Sequence, residues 1–177
     1  DSKTPVSYEI AEKMFNQIRA MDTSRLITYA TDKAEFDICY KFCDFISINK
    51  YFGWYGGGTE EWKGFFQLLK GWFKEQNVSE KPVVMSEFGG AALYGNHTFD
   101  NIKWTEEYQA QLLSESIDAF IESGMICGAS VWHFADARTT RPVTDRARGF
   151  NNKGLLNEYR NPKASYFAVK QKYENII

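Results

Sequence analysis

Apolar positions along this chain follow two periods, one typical of helices and one typical of short buried strands. Apolar residues recur every three or four positions over residues 6–21 and again over residues 60–75, which predicts two amphipathic helices. A third helix is predicted over residues 105–123, because acids fill its first turn and a glycine follows its last. A fourth helix is predicted to begin with Asn161 as its cap and Pro162 in its first turn.

Between the helices lie short runs that predict β-strands at residues 26–30, 45–49, 83–87 and 128–132. Strands that alternate with helices indicate parallel β/α units. A complete barrel of eight such units takes roughly 250 residues, and no strand precedes the first helix. We therefore predict an α/β fold: the C-terminal half of a TIM (β/α)8 barrel, with about four parallel strands and flanking helices, as a single partial domain over residues 1–177. An open four-stranded α/β sheet is the alternative.

Composition narrows the range of partners. The net charge is −2 with no basic run, which argues against nucleic acid, and no apolar stretch is long enough to enter and span a membrane. Three cysteines without tight pairs favour packed thiols in a reducing compartment, so we expect a cytoplasmic protein. The two histidines, His97 and His133, offer no obvious zinc site, and we expect neither a metal nor another cofactor. Aromatic residues make up 16% of the chain, and several fall beside glycines in predicted loops that suit sugar rings.

Polar and aromatic residues follow three of the four predicted strands. Asn49 and Tyr51 come at the end of the second strand, Glu87 ends the third, and Trp132 ends the fourth. The carboxyl ends of parallel strands meet on one face of a barrel, so these side chains are expected to converge on one site. A carboxylate among these aromatics indicates attack on a sugar, because retaining glycosidases use a nucleophilic carboxylate and a second carboxyl group about 5–5.5 Å away. The alternatives are an exposed loop glutamate and aromatics that pack in the core.

Four ordered motifs stand out, and they are Asn49-Lys50-Tyr51-Phe52-Gly53-Trp54-Tyr55, Ser86-Glu87-Phe88-Gly89, Trp132-His133-Phe134-Ala135-Asp136, and the tail from Lys153-Gly154 through Asn161-Pro162-Lys163. Together they resemble glycoside hydrolase family 2, and within it the β-glucuronidases, with histidine at position 133 where asparagine is common. The resemblance implies that Glu87 is the nucleophile and that Tyr51 orients it. It also implies that Tyr55 and Trp132 line the sugar site, where we expect Asn49 to contact substrate as well.

Asn151 and Lys153 match the Asn-x-Lys motif with which β-glucuronidases bind the carboxylate of the sugar. The chemistry is suitable, because lysine supplies a point positive charge and asparagine supplies a directed amide donor. A surface turn is the alternative, since Asn-Asn-Lys-Gly is also common turn composition. Well-known members of the family place an arginine four residues before this asparagine, where the present chain has Ala147. We expect the neighbouring Arg148 to contact the carboxylate.

The resemblance implies that a larger enzyme containing this chain hydrolyses β-D-glucuronides, as small molecules or oligosaccharides, with retention of configuration. Family members carry the acid/base glutamate in an Asn-Glu pair before the leading helix, and Glu9 and Glu12 on that helix do not match it. We therefore expect the acid/base outside the chain, and the 177-residue piece to be nearly inactive alone. The alternatives are a β-galacturonidase or β-galactosidase of the same family, or a non-catalytic half-barrel that binds acidic sugars. Unpaired edge strands predict association with the missing barrel half or self-association.

Overall fold

The computed structural model describes residues 2–140 and 146–176, and its centre is a parallel sheet. The four strands lie in the order β1-β2-β3-β4, and they are Ala30–Thr31, Ile46–Asn49, Val83–Phe88 and Ile126–Val131. Each neighbouring pair is parallel, as where Ser47 lies opposite Val84. Order along the chain equals order in space, as expected for successive β/α units wound in one direction. A separate antiparallel ribbon joins β5 (Ala137–Arg138) to β6 (Phe150–Asn151).

The α-helices in the described ranges are α1 (Pro5–Met21), α2 (Glu61–Glu75), α3 (Glu106–Ser123) and α4 (Ala164–Glu174). Helix α3 matches its sequence signals, because Thr105 accepts a hydrogen bond from the Tyr108 amide at 3.2 Å and Gly124 ends the helix with a φ of 61°. The predicted start of α4 at Asn161 is wrong. Lys163 is the residue that precedes the first turn, because Pro162 lies in a β-bridge with Leu156 and keeps the chain extended there.

The first strand is shorter than its sequence pattern predicts. The pattern covers residues 26–30, whereas only Ala30–Thr31 pairs with β2. Just before this strand the Ile27 amide donates to the Asp44 carboxylate at 2.6 Å. A side-chain acceptor therefore satisfies this amide where a backbone carbonyl of a neighbouring strand would satisfy it in a longer strand. Between β1 and β2 the described chain forms a single 3-10 turn at Tyr40–Phe42.

An aromatic core between the sheet and helices α2 and α3 supports the strand that carries Glu87. Trp62 is 1% exposed and meets Phe120 edge-to-face at 4.8 Å, and Phe120 meets Phe88 of β3 in the same way at 4.8 Å. The Trp62 indole donates to the Ser116 hydroxyl at 3.0 Å, so its buried N–H is satisfied. This packing holds the back of β3 while its carboxyl end stays open.

Candidate active site

Glu87 lies at the carboxyl end of β3, where the regular alternation of the strand breaks. Both Ser86 and Glu87 are partly exposed, and the register between β3 and its neighbours shifts at this point. The next residue but one, Gly89, has a φ of 144°, and a Cβ there would lie 3.0 Å from the Trp132 carbonyl oxygen. A glycine is therefore required where the ends of β3 and β4 approach each other. The irregularity turns the Glu87 carboxylate towards the open end of the sheet.

Tyr51 holds the Glu87 carboxylate directly. Its hydroxyl donates to Glu87 Oε2 at 2.6 Å. Burial raises the pKa of Tyr51, and the hydrogen bond to Glu87 raises it further, so the phenol remains a neutral donor across the ordinary pH range. A short bond between a neutral hydroxyl and a carboxylate is of the charge-assisted kind. The arrangement can therefore fix the orientation of the carboxylate.

The end of β2 contributes a second polar contact beside Glu87. The Ser86 hydroxyl donates to Asn49 Oδ1 at 2.7 Å, and Asn49 lies opposite Glu87 in the sheet register. Asn49 lines a cavity of about 540 Å³ that also touches Glu87, Tyr51 and Tyr55. Asn49 therefore lies beside the space next to the carboxylate.

Lys153 is a buried cation joined to this site through aromatic rings. The residue is 1% exposed, and its Nζ donates to the Tyr55 hydroxyl at 2.9 Å and lies 5.2 Å from the centre of the Trp54 ring. Tyr55 in turn meets Tyr51 edge-on, with 5.4 Å between ring centres. Lysine, two tyrosines and Glu87 thus form one continuous set of contacts.

The hydroxyl of Tyr55 has an altered acidity in this setting. Partial burial acts to raise its pKa, but Lys153 and Arg146, which both bond to and attract the phenolate, outweigh that effect and lower it. Two cations, Lys153 and Arg146, therefore lie near one polar atom, the Tyr55 hydroxyl, next to Tyr51. Such a position suits an anionic group of a ligand.

One cavity collects most of the residues singled out in the sequence. It has a volume of about 620 Å³ and is lined by Tyr51, Tyr55, Glu87, Trp132, His133, Ala137, Arg138, Thr139, Arg146 and Asn151. This volume falls in the ordinary range for small-molecule sites. Trp132 is 41% exposed and presents an aromatic surface at the wall. In the described residues, no group of three or more His, Cys, Asp or Glu side chains is placed to hold a metal ion.

Residues 4–177 match the sequence profile of the family described as "Glycosyl hydrolases family 2, TIM barrel domain". The chain belongs to glycosyl hydrolase family 2. This membership confirms the resemblance and the partial TIM barrel inferred from the sequence, and the parallel sheet with its flanking helices agrees with it. The alternative of an unrelated open sheet is therefore set aside.

The relatives and solved structures that this chain resembles include β-glucuronidases and a β-galacturonidase. The chain is 33% identical to a β-glucuronidase of Paenibacillus borealis over 141 residues, which are 75% of this chain and 22% of that protein. It is 28% identical to the β-glucuronidase of Sus scrofa, covering 90% of this chain and 25% of the relative. A β-galacturonidase from Eisenbergiella tayi bound to galacturonate superposes with a TM-score of 0.90 at 32% identity, covering 98% of this chain and 31% of that one.

A β-glucuronidase from Ruminococcus gnavus in complex with D-glucaro 1,5-lactone is similar in structure as well, with a TM-score of 0.84 at 32% identity over 98% of this chain. The chain spans 22% and 25% of the two curated relatives, and 31% and 30% of the two solved chains. It therefore corresponds to a part of each family 2 protein that it matches.

The structure does not place Arg148 beside the other predicted site residues. Arg148 is absent from both cavities beside Glu87, and its guanidinium pairs with Glu158 at 3.0 Å with a side chain 60% exposed. The residue has a left-handed backbone conformation with a φ of 57°, and its guanidinium carbon lies 5.6 Å from the centre of the Phe150 ring. Arg146 lines the cavity in its place. The sequence signal was a pair of arginines flanking Ala147, but the choice between them depended on this turn.

Proposed function

We propose that this chain is the part of a retaining glycoside hydrolase that carries the nucleophile and the uronate-binding residues for β-D-glucuronides. The observation that carries the proposal is an oriented carboxylate, Glu87, on a sugar-sized cavity whose wall includes Tyr55, the phenol that the buried cation Lys153 contacts. The names of the family 2 relatives support the same assignment.

Glu87 would act as the nucleophile. Its carboxylate forms an ester bond to the anomeric carbon while the glycosidic C–O bond breaks, and an acid/base carboxyl group gives its proton to the departing oxygen. The same group then takes a proton from water as the water oxygen bonds to the anomeric carbon and the ester bond breaks. Two displacements at one carbon retain its configuration. We propose that the acid/base glutamate comes from outside residues 1–177, in the Asn-Glu pair that the family resemblance places before α1.

The sugar carboxylate would be bound by Lys153, Asn151 and the Tyr55 hydroxyl. A buried ammonium group is expensive to remove from water unless an anion compensates it, so a uronate gains more from Lys153 than a neutral sugar does. Trp132 would pack against the sugar ring, and Asn49 would contact a ring hydroxyl from the other side of Glu87. Arg146 adds positive charge to the same wall of the cavity.

A β-galacturonide is the second candidate substrate. The specific observation that favours it is the high similarity to a β-galacturonidase bound to galacturonate. Both sugars carry the same carboxylate, so the contacts described above serve either one. A neutral β-galactoside would leave Lys153 without an anionic partner from the ligand, and a non-catalytic sugar-binding module would not need the bond between Tyr51 and Glu87.

The remaining surface would be completed by other parts of a family 2 barrel. Helix α1 carries an apolar stripe that is 39% to 81% exposed, formed by Val6, Ile10, Met14, Ile18 and Met21. Such a row at helical spacing is typical of a face that packs on another element. We propose that the remainder of the barrel covers it, and that a second copy of the chain does so when the piece is isolated.

We also propose a cytoplasmic setting. The three cysteines, Cys39, Cys43 and Cys127, are free thiols, which supports this proposal.

Hydrolysis tests this proposal with the complete polypeptide that contains the chain. We expect turnover of 4-nitrophenyl β-D-glucuronide, a loss of at least about 1,000-fold in kcat for Glu87→Gln, and a loss of about 100-fold in kcat/KM for Lys153→Met on uronides. Lys13→Met on the exposed side of α1 is the matched lysine control and should change neither value. Turnover that survives Glu87→Gln would refute the nucleophile, and an unchanged uronide preference in Lys153→Met would refute the carboxylate site. Comparison with the 4-nitrophenyl β-D-galacturonide and β-D-galactoside decides among the sugars.

A further inference from the structure

A fully buried ion pair lies behind the proposed uronate site. Lys163, just before α4, and Asp136, just before β5, both have side chains that are 0% exposed, and Lys163 Nζ lies 2.8 Å from Asp136 Oδ1. Burial lowers the pKa of Lys163, and the hydrogen bond and attraction from Asp136 oppose that effect. A buried pair is a weak source of stability unless its remaining donors and acceptors are also satisfied.

The remaining bonds of this pair converge on the segment that carries Lys153. Lys163 Nζ donates to the Asn152 carbonyl oxygen at 3.0 Å and to the Ala92 carbonyl oxygen at 2.7 Å, so that with Asp136 all three of its donors are used. Asp136 accepts from the Gly154 amide at 2.9 Å and from Asn152 Nδ2 at 3.2 Å. The pair therefore bonds the residues on both sides of Lys153 at three points.

The start of α4 does not depend on the Lys163 ammonium group. The Ala164 amide donates to Glu106 Oε2 at 2.6 Å, which satisfies one of the open N–H groups of the first turn. No side chain of the residue before the helix caps it. The Lys163 ammonium group thus bonds Asn152, Ala92 and Asp136, and none of these bonds goes to helix α4.

We propose that Asp136 and Lys163 are positioning residues that hold residues 151–154 so that the Lys153 ammonium group faces the uronate. This inference rests on the proposed function and adds two residues to it. Hydrogen bonds between charged groups fix the geometry of their partners more firmly than neutral bonds do. Such fixed geometry is needed if the Lys153 ammonium group is to meet the substrate carboxylate in one orientation. The tight fit agrees, because a Cβ at Gly154 would lie 2.2 Å from the Asp136 amide nitrogen.

A neutral double variant separates positioning from a simple loss of fold. Each single change, Asp136→Asn or Lys163→Met, leaves one buried charge without its partner and should destabilise the protein. The double variant Asp136→Asn/Lys163→Met removes both charges with little change in volume. The new amide can still accept from the Gly154 amide. It can donate to Asn152 Oδ1 once the Asn152 amide group turns over, because Asn152 now faces Asp136 with its Nδ2 and its Oδ1 is buried with no hydrogen-bond partner among the described residues. The variant loses the bonds from Lys163 to Asn152 and Ala92.

The complete polypeptide is assayed with a 4-nitrophenyl β-D-glucuronide and a neutral 4-nitrophenyl glycoside. For the double variant we expect KM for the glucuronide to rise about 10-fold while kcat changes less than about 2-fold, because uniform binding is what is lost. KM for any measurable neutral substrate should stay unchanged. Lys172→Met is the control. It removes a lysine of α4 that forms a 2.6 Å ion pair with Asp118 of α3, away from the proposed site.

Amide hydrogen exchange supplies a readout that does not depend on activity. Protection should fall at residues 151–154 in the double variant and stay unchanged in β3. If the double variant does not fold, Asn152→Ala replaces it, because that change removes the side-chain bond to Asp136 alone, and a smaller rise in KM is expected. An equal rise in KM for neutral and acidic substrates, or an unchanged KM with unchanged protection, overturns the positioning role. A wild-type protein that turns over no uronide refutes the proposed function instead, and exchange then still decides whether the pair holds residues 151–154.

Discussion

The hydrogen bond from Tyr51 to Glu87 gives the sharpest test of the proposed nucleophile. The change Tyr51→Phe removes one hydroxyl and keeps the ring that meets Tyr55 at 5.4 Å and lies 5.9 Å from Lys153 Nζ. At 2.6 Å between oxygens the lost bond is charge-assisted. Bonds of this kind contribute about 1.5–3 kcal/mol. If that energy serves to hold the reactive geometry, the first displacement should slow by about 10-fold to 150-fold.

Covalent labelling measures this step by itself. A 2-deoxy-2-fluoro-β-D-glucuronyl fluoride should transfer its sugar to the Glu87 carboxylate with loss of fluoride, and the peptide that carries Glu87 should gain the corresponding mass. The rate of labelling in Tyr51→Phe should fall by the factor given above. Tyr173→Phe is the matched control, because it also loses a hydroxyl bond, to the Ala129 carbonyl oxygen at 3.0 Å, away from both cavities beside Glu87. A fall of less than about 3-fold, or under about 0.7 kcal/mol, in a folded Tyr51→Phe protein would refute the orienting role.

Three further outcomes follow from the electrostatics and packing of the site. Lys153 helps to lower the pKa of Tyr55, so Tyr55 should ionise at a less alkaline pH than an ordinary phenol. The phenolate would then compete with the sugar carboxylate for the Lys153 ammonium group, and KM for a glucuronide should rise over that pH range. The rise should vanish in Tyr55→Phe. Burial, opposed chiefly by the attraction of Asp136, lowers the pKa of His133. The unfolded chain therefore binds this proton at a higher pH than the folded one, and stability should fall as the pH drops below the ordinary pKa of histidine. Melting temperatures measured over a pH series should show a smaller fall for His133→Asn. Gly154→Ala places a Cβ 2.2 Å from the Asp136 backbone nitrogen, and urea unfolding should show a loss of free energy of unfolding of about 3 kcal/mol, at the upper end of the cost of overpacking. A stability near wild type would contradict the tight fit of residues 151–154.

Local signals were enough to predict the order of elements and the position of the nucleophile candidate. The cap at Thr105 and the glycine after α3 lie within a few residues of the bonds that they make. The run that ends at Glu87 is bounded by its own breakers, and the carboxyl ends of parallel strands share one face whatever the details of packing. The order of strands and the convergence of Glu87, Tyr51 and Trp132 therefore followed from the pattern alone.

Other features depended on contacts between residues far apart in the sequence. Lys153 and Tyr55 are 98 positions apart, and no local pattern states that the lysine is buried or that it meets a phenol. Arg146 rather than Arg148 lines the cavity because the Arg148 guanidinium pairs with Glu158, and the proposed role of Lys163 depends on acceptors reached across the fold. Hydrophobic period and turn chemistry act over a few residues, whereas the burial and bonding of a long charged side chain are decided by whichever elements the tertiary structure brings against it. For this protein the sequence by itself determined where the candidate nucleophile Glu87 lies, and the tertiary structure decided how the buried Lys153 is placed and bonded near it.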